Sequence, residues 1–382
     1  MKKVLIGQQT TINHYRAKFY EMLNNSAEGR YELYFVFDKN KKATKKIYGE
    51  AVDPDSFNFK IHKTYSFIIK RNDKPYSFQT FIFNLFAYDI VIVEDVFNNL
   101  AYPLSLIYKL FGKKIIFWGH GRDISAYNSS IFKKILEQIK LHLIKRTDAF
   151  IAYTHSVKGF LVSKGIISSK IFVVNNTIDI ITERKYFLKK KDDAFSIKRE
   201  YNYADKDILL FVGRLNERKK IGFLINSFKY IYSKNNKAHL IIIGAGDQKY
   251  ISYLEEQIAP KAFSYLGPVT DTNILADYFI LSTLYVFPGD IGLGPLHSLC
   301  YDLIPVLIES ATHGPEREYL TVKNSVFLSK GCSEIEYANK ILSLLDNKEL
   351  INNLKNNSWS TIKDLKMESM CEKFLECINY VA

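Results

Sequence analysis

Two basic residues that follow one apolar run are the first candidates for chemistry. Arg214 and Lys219 stand in the stretch GRLNERKKIGFLINSF, between the run ILLFV and a helical pattern. Arginine presents a fork of permanently charged donors, and a nearby lysine adds a compact positive charge. The pair is therefore suited to a diphosphate group, and Gly213, just before the arginine, is assigned to the same site. A solvated surface pair is the alternative.

A glycine-rich turn in FPGDIGLGPLHSL, residues 287–299, complements this pair. Gly292 and Gly294, with Leu293 between them, allow the backbone to come close to a ligand. Pro295 is typical of the first turn of a helix, where free N–H groups and the helix dipole attract anions. We expect this turn to form a second side of the diphosphate site, although a plain strand-to-helix connection would have the same pattern.

Other polar residues lie on or near this turn. Asp290 begins it, Ser298 lies eight positions later, and His297 falls in the first turn of the predicted helix. Glu316, in HGPERE, follows the next predicted strand. Gly244, in IIIGAGD, ends another strand but belongs to no complete dinucleotide fingerprint. All are candidates for ligand binding, with ordinary core or surface positions as the alternative.

The first half of the chain adds a histidine and a strand-end turn. His120 follows the run KKIIFW directly and lies between two glycines in FWGHGRD, a setting that favours a cleft over a core. Tyr15 and Arg16, in GQQTTINHYR, follow the first predicted strand and are expected to face the same cleft. The Asp-x-Asp pairs in VDPDSF and ADKDILL are poorly placed for a metal, so no metal or other cofactor is expected.

These residues require a scaffold of buried parallel strands. Short apolar runs alternate with helical stretches: KVLIG, YELYFVF, YDIVIVE, KKIIFWG, DAFIAYT and KIFVVNN, then ILLFVGR, AHLIIIG, STLYVFP and LIPVLIE. Such runs are typical of strands covered on both faces, and two series indicate two doubly wound α/β domains. Ligands of these sheets bind at the carboxyl ends of the strands. We place the domains at 1–178 and 179–365, with a terminal helix, 366–382, that packs on one of them.

Composition limits the class of protein. The chain has 382 residues and a net charge of +13, and the whole excess lies in residues 1–178, with 27 Lys and Arg against 14 Asp and Glu. That asymmetry favours an anionic surface as partner of the first half, unless it reflects biased composition. No apolar run is long enough to span a membrane, and the start of the chain is too polar for a signal peptide. The four cysteines are few for this length and show no CxxC spacing, which fits a reducing cytosol. The expected location is cytoplasmic.

The ordered set of motifs resembles a known enzyme family. GRLNERKKIGFLI, LIIIGAGD, YLGPV, the loop 287–307 and GPEREYL are similar to the donor domain of family-four glycosyltransferases, and FWGHGRD, KRTDAFIAYT and VVNNTID are similar to the first domain of that family. The resemblance covers nearly the whole chain. It implies the GT-B fold, in which two Rossmann-like domains face each other across a cleft, the second binding the donor and the first the acceptor.

The resemblance also implies an activity of the hexosyltransferase type. A sugar would pass from a nucleotide-sugar to an acceptor hydroxyl, with retention at the anomeric carbon and without a metal. Arg214, Lys219 and the turn 292–294 match the family's diphosphate contacts, and His120 matches its histidine near the transferred sugar. The family has two glutamates where this chain has Asp290 and Ser298, so we expect altered contact with the ribose.

The acceptor and the alternatives stay open. Relatives that build bacterial capsule, O-antigen or lipopolysaccharide often use lipid-linked acceptors, and the basic amphipathic stretch 129–146 could lie on an anionic membrane, giving peripheral association with the inner face of the cytoplasmic membrane. A plain core helix is the alternative there. For the whole chain the alternatives are a nucleotide-sugar epimerase of the same fold, or a non-catalytic protein that binds nucleotide or nucleic acid. No nucleic-acid partner is expected under the leading hypothesis.

Overall fold

A computed structural model describes residues 1–7, 14–39, 57–71, 74–122, 131–310 and 312–382, and the side chains of 14–15, 70–71, 74–75 and 131–133 are not described. None of the helices in these ranges is long and apolar enough to cross a membrane. The chain divides into two compact units: unit 1 is Met1–Ile178 with Leu365–Ala382, and unit 2 is Asp179–Asp364.

The elements follow one another in this order. The strands are β1 (Lys2–Gly7), β2 (Tyr31–Asp38), β3 (Lys60–Thr64), β4 (Ser66–Arg71), β5 (Lys74–Gln79), β6 (Ile90–Glu94), β7 (Lys114–Gly119), β8 (Ala149–Ala152), β9 (Ile171–Val173), β10 (Asp207–Val212), β11 (Ala238–Ile243), β12 (Phe263–Tyr265), β13 (Leu284–Phe287), β14 (Pro305–Ile308) and β15 (Val326–Leu328). The α-helices are α1 (His14–Ala27), α2 (Ala101–Leu104), α3 (Ile131–Lys145), α4 (His155–Ser163), α5 (Ile180–Lys190), α6 (Ala194–Glu200), α7 (Ile221–Lys234), α8 (Gln248–Gln257), α9 (Thr272–Leu281), α10 (Gly294–Cys300), α11 (Glu334–Asp346), α12 (Lys348–Ile362) and α13 (Met367–Val381).

Unit 1 is built on a seven-stranded parallel sheet in the order β3-β2-β1-β6-β7-β8-β9. Its central strands are buried on both faces, as in β6, where every residue is buried. The six apolar runs predicted as strands are confirmed. The edge strand β3 (KIHKT) was not predicted, because a strand with one neighbour is partly exposed and carries no apolar run.

Two apolar layers cover this sheet. On one face, α1 and α13 pack together, and Phe374 of α13 lies 5.6 Å from Phe19 and 5.0 Å from Trp118 between ring centroids. The other face is covered by the 3₁₀ segments Thr80–Ala87 and Ser105–Phe111 and by α2, α3 and α4. The C-terminal helix is thus part of the core of unit 1.

A two-stranded antiparallel hairpin, β4–β5, lies outside the main sheet. Backbone bonds from Thr80 to Tyr65 (3.0 Å) and from Leu100 to Ser77 (2.9 Å) attach it to the segments that follow. This hairpin was not predicted from the sequence.

Unit 2 is a second doubly wound domain. Its six strands are parallel, in the order β12-β11-β10-β13-β14-β15, and the four predicted runs are β10, β11, β13 and β14. The edge strands β12 and β15 have three residues each and were missed. Asp179 caps the first helix of this unit, since its side chain accepts the amide of Thr182 at 3.1 Å. The predicted fold class, two doubly wound α/β domains, is confirmed.

Candidate functional site

Three loops of unit 2 form the candidate donor site. They follow β10, β13 and β14, which are neighbours in the sheet, so the loops emerge side by side at the carboxyl edge. The first is residues 213–220, the second is 288–293 and the third is 309–316. Of the polar residues predicted on or near the turn 292–294, Asp290 and Glu316 belong to these loops, and His297 and Ser298 lie on α10.

Lys219 joins the first loop to the second. Asn216 caps the 3₁₀ turn Glu217–Lys219 by accepting the Lys219 amide at 3.1 Å, and the Lys219 ammonium donates to the carbonyl oxygen of Asp290. The pKa of Lys219 is lowered from 10.5 to about 8, chiefly by burial and then by the neighbouring guanidinium of Arg218, while the charges of Asp290 and Glu316 oppose the shift. Lys219 can therefore lose its proton at mildly alkaline pH, where most enzymes remain folded.

Arg214 and Arg218 add to the positive charge around Lys219. Both guanidinium groups are close enough to lower the pKa of that lysine, and both side chains are exposed. Three cationic groups thus lie near one another, and two of them, Lys219 and Arg218, bond to Asp290 in the second loop. A di-anionic ligand that displaced solvent here would relieve the repulsion among them.

Asp290 is held in place by its side chain as well as by its backbone. Its carboxylate accepts the Thr312 hydroxyl at 2.5 Å and the Nε–H of Arg218 at 3.0 Å, and its amide donates to the Arg218 carbonyl at 2.9 Å. The carboxylate is therefore part of a network that links all three loops. Sequence reasoning found Asp290 but missed Arg218 and Thr312, because neither stands in a glycine-rich turn.

A buried histidine fixes the base of the second loop. His313 accepts the amide of Ile291 at its Nδ1 (3.2 Å), and its Nε2 lies 2.9 Å from the Ile308 carbonyl, which only an N–H can approach favourably. Burial lowers the pKa of His313, so the neutral ring with a proton on Nε2 fits both bonds. His313 was not assigned a role from the sequence.

Close backbone contacts explain several of the glycines. A side chain at Gly289 would overlap the backbone of Lys219, and one at Gly244 would overlap the carbonyl of Gly213. Gly244 is therefore needed where the ends of β10 and β11 meet. In contrast, a methyl group at Gly292 would touch nothing within 4 Å. The open side of the loop is at Gly292, as expected for a place where a ligand comes close to the backbone.

The start of α10 places the remaining predicted residues. Leu293 is its N-cap, Gly294 its first residue and Pro295 lies in its first turn, as predicted. His297 lies 3.3 Å (Nδ1) from the Glu183 carboxylate of α5, and its ring stacks on Phe279.

Ser298 and Glu316 lie inside the fold. Ser298 is fully buried and donates its hydroxyl to the Pro295 carbonyl at 2.8 Å, so in this conformation the hydroxyl expected to meet the ribose is used within its own helix. Glu316 is buried near Lys219, and its charge stabilises the protonated lysine. Its assignment as a donor contact stays a prediction.

His120 occupies a constrained turn in unit 1. Asp95, which follows β6 and is fully buried, accepts the amides of Gly121 (2.5 Å) and His120 (3.2 Å). The ammonium of Lys140, on α3, lies 3.0 Å from the same carboxylate. The His120 ring meets that of Tyr153 edge to face, with 4.7 Å between centroids. Asp95 thus positions the histidine, and an acid directly after an apolar run (IVIVED) was the signal that sequence reasoning overlooked.

Arg16 lies in the interior of unit 1, whereas a cleft-facing position was expected. It is buried, donates to the side-chain oxygen of Asn176, and its guanidinium lies 5.2 Å from the centre of the Trp118 ring. In this conformation its bonds hold the chain near Asn176. The side chain of Tyr15 lies outside the described residues, as do Asp53 and Asp55.

Comparison with known proteins gives the family. Residues 192–360 match the family model described as "Glycosyl transferases group 1", and residues 41–181 match the one described as "Glycosyltransferase Family 4". The first match lies within unit 2, and the second lies in unit 1 except for its last three residues.

Curated relatives agree with this match. A glycosyltransferase of Methanocaldococcus jannaschii is 30% identical over 173 residues, which are 43% of this chain and 41% of the relative, so less than half of that relative is spanned. A 41.2 kDa protein in the cps region of Klebsiella pneumoniae is 24% identical over 297 residues, or 75% of each chain.

Solved structures share the fold over almost the entire chain. HepE of Anabaena in complex with UDP is 13% identical, with a TM-score of 0.71 over 99% of this chain and 100% of that one, and HepE has also been crystallised with UDP-glucose. The sucrose-phosphate synthase of Thermosynechococcus elongatus is 12% identical, with a TM-score of 0.72 over 99% and 98% of the two chains. With its two family matches and this shared architecture, the chain belongs to the group 1, family 4 glycosyltransferases and has the GT-B fold.

Proposed function

We propose that this enzyme transfers a hexosyl group from a nucleoside-diphosphate sugar to a hydroxyl of a glycan or lipid-linked glycan, with retention at the anomeric carbon. The observation that carries the proposal is the grouping of Arg214 and Arg218 around Lys219, whose ammonium bonds to the carbonyl of Asp290 in the loop that is open at Gly292. A diphosphate is the donor group that such a cluster recognises. The UDP and UDP-glucose complexes of HepE support a uridine nucleotide as the first donor to test.

The proposed chemistry depends on charge stabilisation. As the bond between the sugar C1 and the diphosphate oxygen breaks, positive charge develops on the sugar and negative charge on the diphosphate. Lys219, Arg214 and the amides of the turn 292–294 would stabilise the second charge through preorganised donors. The acceptor oxygen then forms the new bond to C1, and its proton leaves with the departing diphosphate. In this scheme the cationic side chains perform the role that a divalent metal has in other transferases.

Asp290 and His120 have supporting roles in this proposal. Asp290, held by Thr312 and Arg218, would contact the hydroxyls of the transferred sugar at the position where the family has a glutamate. His120, fixed by Asp95, would lie near the same sugar. Because Ser298 is buried, ribose recognition would depend on groups other than its hydroxyl.

The proposed pathway is the synthesis of a bacterial surface polysaccharide such as capsule or O-antigen. The relative in the Klebsiella pneumoniae cps region supports this assignment. A lipid-linked acceptor would bring the enzyme to the inner face of the cytoplasmic membrane as a peripheral protein.

A thermal-shift screen of UDP, GDP, dTDP and CMP tests donor binding, because a ligand that binds only the folded state raises the melting temperature. We expect one nucleoside diphosphate to do so, and its sugar conjugates to be consumed only when an acceptor is added. Consumption without acceptor would favour the epimerase. Binding without any consumption in the presence of a range of glycan acceptors would favour a non-catalytic protein.

A further inference from the structure

The described part of unit 1 has a concentration of exposed apolar side chains. Of the twenty-four large apolar residues that are exposed among those the structure describes, eleven lie between residues 65 and 111, whereas the described residues of unit 2 include six, at separate places in the fold. Leu110, Ile69 and Phe83 are among the most exposed, at 84%, 72% and 68%. Isolated exposed apolar residues are normal, but a group of this size marks a surface that contacts something.

These side chains belong to neighbouring elements. In the hairpin, Phe67 and Ile69 alternate along β4, and the cross-strand neighbour of Ile69 is the exposed Tyr76. Backbone bonds join the hairpin and the adjoining Tyr65 to Thr80 and to residues 98–100, which directly precede α2. Between those two segments, Tyr108 donates to the carbonyl of Ile82 at 2.7 Å. We call the exposed apolar side chains of 65–111 the apolar surface.

Aromatic contacts join the far end of the apolar surface. The ring of Phe86 lies 4.8 Å from that of Tyr108 and 5.1 Å from that of Phe111. Phe86 and Phe111 remain more than half exposed despite these contacts. They form a platform on the outside of the unit, not part of its core.

The borders of the apolar surface are basic. Lys113 donates to the carbonyl of Phe86 at 2.9 Å, with Lys114 exposed beside it. At the other end, the Lys39 ammonium lies 5.0 Å from the centre of the Tyr65 ring. Residues 60–114 contain eight Lys and Arg against four Asp and Glu, and two of these acids, Glu94 and Asp95, are buried.

Apolar and aromatic side chains bordered by lysines fit the boundary between lipid headgroups and acyl chains. The apolar groups enter the boundary, and the lysines meet anionic headgroups. We propose that the apolar surface docks unit 1 on an anionic lipid bilayer. Helix α3, predicted for this role from the sequence, has a smaller exposed group in Ile135, Leu136 and Ile139, and its Lys140 is directed inward to Asp95.

This inference deepens the proposed function, because a lipid-linked acceptor gives the enzyme a reason to be at a membrane. It rests on the proposed function for that reason alone. The test is co-sedimentation of the full chain with vesicles of phosphatidylcholine, with and without phosphatidylglycerol. We expect the wild type to pellet with the phosphatidylglycerol vesicles and to be released by high salt.

A triple variant, Ile69→Ser, Phe83→Ser and Leu110→Ser, should bind these vesicles at least about tenfold more weakly than the wild type, because three exposed side chains that would enter the lipid are removed. The matched control is Phe195→Ser, Val322→Ser and Ile335→Ser, which removes three exposed apolar side chains of unit 2 and should bind as the wild type does. The melting-temperature rise with UDP, measured without vesicles, should be the same in all three proteins.

Several results would overturn the inference. Wild type that stays in the supernatant, or a triple variant that pellets as the wild type does, excludes the bilayer as partner. A wild-type dimer by light scattering that the triple variant dissociates would assign the surface to a second copy of the chain.

A single-site probe covers the case in which the triple variant does not fold. An environment-sensitive dye on Leu110→Cys should shift to the blue on phosphatidylglycerol vesicles, and the same dye on Val322→Cys should not. Equal responses of the two would count against the apolar surface. If the UDP response fails in the wild type but vesicle binding persists, the proposed function is lost and the docking surface remains.

Discussion

At the scale of single residues, the candidate site is defined by the charge of Lys219 and by the groups that hold it. Its ammonium bonds to the backbone of Asp290 and lies 4.8 Å from the centre of the Phe287 ring. Lys220, the next residue, adopts a left-handed conformation, is exposed and lies over Phe223. Two adjacent lysines therefore have different surroundings, which makes each a control for the other.

Lys219→Ala is expected to lower turnover about a hundredfold or more, since the loss of one preorganised charge donor typically costs about 2.7–4 kcal/mol of barrier. Lys220→Ala should stay within a few-fold of the wild type. The measurement is the rate of sugar transfer at saturating donor. Equal losses in the two variants would remove the specific role of Lys219.

The lowered pKa of Lys219 predicts a dependence of donor affinity on pH. Under the proposed function the protonated lysine binds the diphosphate, and its pKa of about 8 in the free enzyme means that this form is lost as the pH rises through 8. Affinity for UDP should therefore fall by up to about tenfold for each pH unit above 8, until the pH also exceeds the pKa that Lys219 has in the UDP complex. Calorimetric titration across this range measures it, and Lys219→Met should flatten the profile. A wild-type profile as flat as that of the variant would contradict the assignment.

Asp95→Asn should disturb the turn of His120 while leaving donor binding intact. The amide retains one acceptor oxygen, but the second backbone N–H and the Lys140 ammonium lose their charged partner, and an unpaired buried charge is costly. We expect turnover to fall at least about tenfold with an unchanged melting-temperature rise on adding UDP. Lys140→Met in the same background should restore part of the stability. A fall in UDP response as large as the fall in turnover would show that the effect is general unfolding.

At the scale of elements, the three strand-end loops of unit 2 depend on one another. The second loop is held by the backbone of the first at Gly289 and by the third through His313 and Thr312. The geometry of the turn 292–294 is therefore a property of the three loops together and not of the turn alone.

Gly289→Ala tests this dependence. The added methyl group would overlap backbone atoms of Lys219, so one of the two loops must move. We expect UDP affinity to fall at least about tenfold, since a displacement of about 1 Å at such a site is costly. The control is Gly222→Ala on α7, where a methyl group meets nothing within 4 Å and a helical alanine is favoured over glycine by about 0.5–1 kcal/mol. Wild-type affinity in Gly289→Ala would show that the loops adjust without consequence.

At the scale of the whole molecule, the chain returns to its first unit for its last helix. Residues 365–382 belong to unit 1, and the inner face of α13 is part of its core. The stability of unit 1 therefore depends on residues 365–382, which follow the whole of unit 2 along the chain.

Phe374→Ala should destabilise unit 1 by about 3–5 kcal/mol, the usual cost of removing a buried phenyl ring. Tyr380→Ala, on the exposed side of the same helix, should cost about 1 kcal/mol or less. Denaturant unfolding followed by Trp118 fluorescence reports on unit 1 when Trp359, the tryptophan of unit 2, is replaced by Phe in every variant compared. The UDP response reports on unit 2 and should persist. A Phe374 variant as stable as the Tyr380 variant would argue against this role of α13.

The sequence by itself determined that there are two parallel sheets and where ten of their strands lie along the chain, and it predicted a diphosphate role for the glycine-rich loop. Buried parallel strands are continuous apolar runs, and a turn that meets a ligand needs glycines, so both leave local patterns. The edge strands β3, β12 and β15 left no such pattern because they are short or half exposed.

Only the tertiary structure decided which polar groups meet. Arg218 and Asp290 are 72 positions apart, and Asp95 and Gly121 are 26 apart, yet each pair is hydrogen-bonded. It also placed Ser298 and Arg16 in the interior and joined the elements that carry the exposed side chains of residues 65–111. Periodicity specifies which face of an element is buried, but the partner of a side chain depends on how distant segments pack, and that is decided by the fold as a whole.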